Sequence, residues 1–244
     1  MASEDRVLVD TVVKADPDTV WKAVREPDAV HRWFGWDDEG LAAEIEHMFV
    51  EQPEGDDDAR TVAWPDGDVI DLEPADDGAT RVRLTRRAHE DPDAAIGVYD
   101  PIDEGWITFV QQLRFSLEHH PGADRRTVSV TGVDLGPEDD ALLARLGLRE
   151  LGEQPVGSGY TLSRADGSTF TGEIYFQTDL QIGLTVAEEG NALLVIARIP
   201  PAAAPPNGTA TFVLSTYGLD DEHFAALQDR WSTWWDVEAE APAG

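Results

Sequence analysis

The chain has no cysteine. Disulfide bridges, thiolate zinc centres and cysteine nucleophiles are therefore excluded. Positive charge is also scarce: 18 Lys and Arg stand against 49 Asp and Glu, and only Lys14 and Lys22 are lysines. Residues 1–120 carry 30 acids and 11 bases, so the acidity is spread over both halves and is not a tail. Such a surface repels DNA, RNA and anionic lipid, which argues against nucleic-acid and membrane partners. It serves either as a solvation device, as a high-salt cytoplasm would require, or as an acidic face for a basic protein partner. No apolar run approaches the roughly 18–20 residues of a membrane span. The longest candidate, Ala192–Ile199, is interrupted by Arg198 and has strand length. The opening MASEDRVLVD has neither the basic nor the apolar region of a secretion signal, and the expectation is a cytoplasmic protein.

What is present is ample core material. Of 244 residues, 41% are hydrophobic and eight are Trp, enough for one large domain or two of ordinary size. Val7–Ala15 reads as a strand. Asp16 is then a fair N-cap with Pro17 at the first helical position, and Val20, Trp21 and Val24 follow at helical spacing. A second short helix covers Asp28–Phe34. Arg60–Trp64, Asp68–Leu72 and Thr80–Arg87 read as strands joined by turns at Pro65-Asp66-Gly67 and Asp76-Asp77-Gly78. Arg81, Arg83 and Arg86 are taken to mark the wet face of the last of these. Leu41–Val50 has strand character, but Leu41, Ile45, Met48 and Phe49 fit a helix as well. Residues 53–59 and 88–100 read as polar loops. Trp106, Phe109, Val110, Leu113 and Leu117 then form one stripe on a long helix over Asp103–His120, which Pro121-Gly122 ends.

The same order recurs in the second half. Arg126–Val133 is a strand, and Gly136-Pro137-Glu138 is expected to open a helix carrying Leu142, Leu143 and Leu146. A hairpin turns at Ala165-Asp166-Gly167. Gln181–Val186, Ala192–Ile199 and Thr209–Ser215 are strands, and Asp220–Asp236 is the closing helix, with Phe224, Leu227, Trp231, Trp234 and Trp235. Pro17 and Pro137 lie 120 residues apart, and Trp106 and Phe224 lie 118 apart. That near-constant offset points to an internal duplication, with domains at 1–120 and 126–238 and Pro121–Arg125 as linker. Residues 238–244 are expected to fray.

Val9–Ala15, Asp16-Pro17-Asp18-Thr19-Val20-Trp21, Pro27–Phe34 and the helix from Glu104-Gly105-Trp106 resemble the SRPBCC superfamily of START-like and pollen-allergen-like helix-grip proteins. Within it they are most similar to bacterial homologues of the heat-shock ATPase activator. The likeness covers about 120 residues; the second half shares only the layout and the last helix. The resemblance implies an α+β fold of two helix-grip units, each a curved antiparallel sheet wrapped around a long C-terminal helix. It also implies a cavity between sheet and helix. The acidic stretch 37–59 departs from the Gly-rich hairpin many relatives carry, so that cavity is either small or filled.

No catalytic motif accompanies this. There is no phosphate-binding glycine loop, no His-Glu-x-x-His and no nucleophile elbow around Ser158, Ser163 or Ser168. His119 and His120 point about 100° apart on a helix and suit its C-terminus better than a metal. Asp37–Glu44 lacks the alternating oxygen ligands of a calcium loop. No cofactor and no metal site is expected. The aromatic set remains: Trp33, Phe34, Trp36, Trp106, Phe109, Val110 and Leu113 are the candidate ligand-lining residues, with ordinary core as their competing role. Non-catalytic binding of a small hydrophobic molecule ranks first. A protein–protein adaptor of the activator kind ranks second, and a cyclase or hydrolase on the same fold third.

Overall fold

The computed structural model describes residues 5–87, 99–138, 141–163 and 169–231. The turn at Ala165-Asp166-Gly167, most of the 88–100 loop, Trp234, Trp235 and the 238–244 tail lie outside them. The described chain divides into two compact units. The first takes residues up to Arg87 together with Asp100–Arg125, and the second takes Tyr99 with the residues from Arg126 onward.

In the first unit, β1 (Arg6–Val13) leads into α1 (Pro17–Ala23) and α2 (Pro27–Val30). Asp16 caps α1 by accepting from the amides of Asp18 and Thr19 at 3.1 and 3.0 Å, as the Asp-Pro pair predicts. Next come α3 (Leu41–Glu46), β2 (Glu54–Asp56), β3 (Thr61–Ala63), β4 (Val69–Pro74), β5 (Thr80–Arg86) and the long α4 (Pro101–His119). The sheet is antiparallel throughout, in the order β1-β5-β4-β3-β2. Its apolar face offers Val9, Val13, Val62, Ile70, Leu72, Val82 and Leu84 to one core with Trp106, Val110 and Leu113 of α4.

Two local readings are corrected here. Leu41–Val50 is helical, passing from α3 into one π-helical turn over His47–Glu51. Leu41, Ile45 and Phe49 are buried while Ala43 and His47 between them are exposed, a pattern that fits a helical stripe and not the two-residue period of a strand. The polar stretch 53–59 also contains a strand, β2, whose residues are all exposed on the sheet edge. Alternation carries no signal where neither face is buried.

The second unit holds β6 (Arg125–Asp134, of which Arg125 packs with the first unit), α5 (Leu142–Arg145), a 3₁₀ turn at Arg149–Glu153, β7 (Gly159–Ser163), β8 (Thr169–Gln177), β9 (Gln181–Val186), β10 (Ala192–Ile199), β11 (Thr209–Tyr217) and α6 (Asp221–Trp231). The strand order is β6-β11-β10-β9-β8-β7. Leu194 sits across from Leu184 and Leu214, and Ile196 from Ile182 and Phe212. These residues share a core with Leu142 of α5 and with Phe224, Leu227 and Trp231 of α6. Leu193, Val195 and Val213 on the opposite face are buried too, which is why this strand pair reads as a continuous apolar run.

The helix expected to open at Gly136-Pro137-Glu138 is present only in pieces: Glu138 is in a 3₁₀ turn, residues 139–140 lie outside the described ones, and α5 is four residues long with Ala141 at its N-cap. The second unit repeats the order of strand, short helical segment, antiparallel strands and closing helix. Glycine shapes β8 and β9. A side chain at Gly172 would overlap the Thr185 carbonyl oxygen, the same oxygen that accepts from the Tyr160 hydroxyl at 2.6 Å. Burial and the nearby Glu188 push the Tyr160 phenol up, so it stays a donor. At Gly183 the Phe176 ring fills the side-chain space, next to a bulge at Tyr175.

Candidate functional site

The aromatic set predicted in the first unit does assemble. Phe34 lies 5.9 Å from Trp33 and 4.5 Å from Phe109, and Trp106 lies 6.5 Å from Phe109. Val110 and Leu113 are fully buried in the same core. Phe49 and Trp64 complete the cluster: Trp64 is 5.1 Å from Trp106, and Phe49 is 4.8 Å from Phe34. Neither was singled out from sequence, although the spacing of Leu41, Ile45 and Phe49 carried the signal for one of them. Most rings meet edge to face, the arrangement that satisfies aromatic quadrupoles. Trp36 and Phe109, 5.5 Å apart, are the two half-buried rings of the set.

Polar groups anchor these rings. Trp33 donates to the Ala23 carbonyl at 2.8 Å, Trp64 to the Met48 carbonyl at 2.6 Å, and Trp106 to the Asp68 carboxylate at 2.9 Å. Asp68 belongs to a buried charge cluster at the N-terminal end of α4. Arg86 reaches Asp103 at 2.7 Å, Asp100 at 3.2 Å and Asp68 at 3.5 Å. Arg6 pairs with Asp103 as well. The side chain of Arg86 is 3% exposed. This corrects the wet-face reading: along β5, Arg86 falls in phase with Val82 and Leu84, while Arg81 and Arg83 alternate outward. Asp100 also caps α4, accepting from Ile102 and Asp103 at 2.9 and 3.2 Å. Burial alone would raise the Asp100 carboxyl. Those amides and the Arg86 guanidinium outweigh burial and hold it below the usual carboxylate range.

Arg125, expected in a linker, is instead one of the largest fully buried side chains. It donates to the carbonyls of Trp33, Phe34 and Gly35 at 3.0, 2.5 and 2.7 Å and to Gln112 at 2.6 Å. Three backbone carbonyls left over after α2 thus find a single planar donor fork. Both buried arginines fasten helices to their surroundings. An outer depression of about 500 Å³ between α2 and α3 touches Arg125 and Arg32, but Arg32 faces Asp124 at 3.5 Å.

A second kind of space exists in the other unit. A pocket of about 410 Å³ opens between the α5 segment and the helix-facing side of the sheet. Leu143, Leu148, Ile182 and Ile196 give it an apolar floor. Gln177 donates to the Gly152 carbonyl, tying the 3₁₀ turn to β8 at the rim. Arg149 and Arg198 also border it. Arg198 follows Ile196 by two residues in β10 and so projects from the same face. The volume is that of an ordinary small-molecule site, and around the apolar floor Glu153, Gln177, Thr178, Asp179 and Gln181 join the two arginines in a largely polar rim. Sequence reasoning missed this pocket because its walls come from α5, the 3₁₀ turn and three strands. Among the described residues no group of three or more His, Asp or Glu could hold a metal ion, and no helix is long and apolar enough to cross a membrane.

No family model and no curated protein matches the chain. Among solved crystal structures, the di-domain ARO/CYC BexL from the BE-7585A biosynthetic pathway is similar at 16% identity and a TM-score of 0.34, over 99% of this chain and 100% of that one. The di-domain ARO/CYC StfQ from the steffimycin biosynthetic pathway is similar at 10% identity and a TM-score of 0.36, over 95% and 92%. DynU16, from the dynemicin biosynthetic locus, is similar at 16% identity and a TM-score of 0.34, over 96% and 95%. Likeness at this level sets no activity, and the architecture rests on the strand order described above.

Proposed function

We propose that the chain binds a small, largely apolar molecule between sheet and helical segments, and that the pocket of the second unit is where it does so. One observation carries this reading: a pocket of about 410 Å³ with an apolar floor, open at the helix-facing side of a helix-grip sheet. The aromatic set of the first unit is the competing location. Its rings pack on one another, and the half-buried Trp36 and Phe109 are what it offers a ligand. Turnover of the bound molecule, in the manner of a cyclase, is the second reading, and the outline shared with ARO/CYC chains is the reason to assay it. The activator-like adaptor reading rests on the resemblance of the first half and on the acidic surface.

The test is a titration with Nile red, a neutral apolar dye, on the wild type and two variants. Ile182→Phe places a ring in the pocket of the second unit, and Phe109→Ala removes one from the first. Wild-type binding should weaken at least about tenfold in Ile182→Phe, the equivalent of ~1.4 kcal/mol, and stay unchanged in Phe109→Ala. The reverse pattern would move the site to the first unit. Absence of binding to the folded wild type, checked by circular dichroism, would remove the binding reading.

A further inference from the structure

With acids so abundant, a guanidinium readily finds a carboxylate. Arg6, Arg60, Arg81, Arg86, Arg126 and Arg230 each lie within 4 Å of one. Arg149 and Arg198 do not. The side chain of Arg149 makes no hydrogen bond or ion pair among the described residues. The guanidinium of Arg198 donates to the carbonyl oxygen of Asp179, a neutral acceptor. Both arginines border the one pocket. In a chain of formal charge −31, the rim of this pocket holds two guanidinium groups that no carboxylate among the described residues pairs with, beside the carboxylates of Glu153 and Asp179.

From this we infer that the pocket of the second unit takes an amphipathic molecule with one carboxylate, its apolar body on Leu148, Ile182 and Ile196 and its carboxylate on Arg149 and Arg198. The inference rests on the binding reading above and adds the chemical class of the ligand. Guanidinium suits this task because its planar donor fork matches a carboxylate and is weakly hydrated. Glu153 and Asp179 also border the pocket, yet neither carboxylate lies within ion-pairing distance of Arg149 or Arg198. All four side chains are exposed and salt screens each of them, so the selecting force is the short-range contact of a bound carboxylate with an unpaired guanidinium. The surrounding negative surface has a consequence for selectivity: an anion without an apolar body gains too little to overcome the repulsion.

The experiment compares decanoate with decanol by calorimetry at fixed moderate salt, on the wild type, Arg149→Gln and Arg149→Gln/Arg198→Gln, with Nile red as reference. Decanoate should bind the wild type at least about tenfold more tightly than decanol, the effect of one charge-assisted contact. The double variant should lose that preference while keeping its decanol and Nile red affinities. Arg149→Gln alone, which touches no hydrogen bond of the fold, should lose part of it. Equal binding of the two compounds, or a preference that survives both substitutions, would overturn the carboxylate inference and leave the pocket standing. Nile red binding without either compound would do the same. Failure of all three probes would remove the pocket reading and this inference with it.

Discussion

Replacing Arg125 with methionine is expected to cost the first unit about 3 kcal/mol or more, because it leaves several buried neutral acceptors unpaired at once. The side chain is fully buried and donates to four acceptors, three of them backbone carbonyls. Methionine fills much of the volume but leaves those acceptors with no donor. Each unsatisfied buried group costs about 1–3 kcal/mol. Arg125→Lys should recover less than half of the loss, because one ammonium cannot span a fork of carbonyls. The neighbouring Arg126→Met is the control. Arg126 pairs with the fully exposed Asp221 and lies over the Phe224 ring at 3.9 Å, contacts that together contribute about 1 kcal/mol. Urea unfolding of the three variants reads the result. Equal effects at 125 and 126 would mean that the buried bonds have no stabilising role.

Arg86→Met is the second large effect, about 3–5 kcal/mol at neutral pH, since Asp68 would lose its buried cation and Asp100 and Asp103 would keep only the exposed Arg6. The pH dependence separates this from a packing defect. The Asp100 carboxyl is held low in the fold. A depressed carboxyl contributes stability that is fully present above its unfolded value of about 3.9 and is lost as pH falls through the folded value. Wild-type stability should therefore hold down to about pH 5 and decline below about pH 4. In Arg86→Met, protonation relieves repulsion, so the gap between variant and wild type should narrow on acidification. A gap independent of pH would show that the cluster acts only by filling space. Asp103→Asn in the Arg86→Met background should restore part of the stability, because one of the clustered charges is gone.

Most strands were legible because a half-buried strand writes period two into the sequence and a glycine turn ends it. β5 shows both the strength and the lapse of that reading. Its alternation is unmistakable, but Arg86 was assigned by residue type to the wet face when its position put it with Val82 and Leu84. An arginine in phase with valine and leucine is a signal for a buried ion cluster. Trp106, Val110 and Leu113 were readable because a helical stripe has a period of its own. Arg125 was not, since its four acceptors come from residues 33–35 and 112, which no local window joins. Pro137 does stand just before a helical turn, at Glu138, but the sequence did not show that the regular helix beyond it is only Leu142–Arg145. The pocket of the second unit is built from α5, a 3₁₀ turn and strands β8, β9 and β10, so its shape is a property of tertiary assembly.

The strand order of the two sheets bears on how the chain emerges during synthesis. In each sheet the first strand made lies beside the last: β1 beside β5, and β6 beside β11. A ribosome that has released Arg125–Asp134 must go on to Thr209–Tyr217 before β6 has its neighbour. Until then β6 presents an open edge that any nascent strand nearby can extend. The first unit, complete once Arg125 is out, can already be folded during that interval. A chain arrested before Thr209 would therefore carry one finished unit and a second sheet in which both β6 and β10 lack their shared neighbour, and crowded polysomes are where such edges meet copies of themselves.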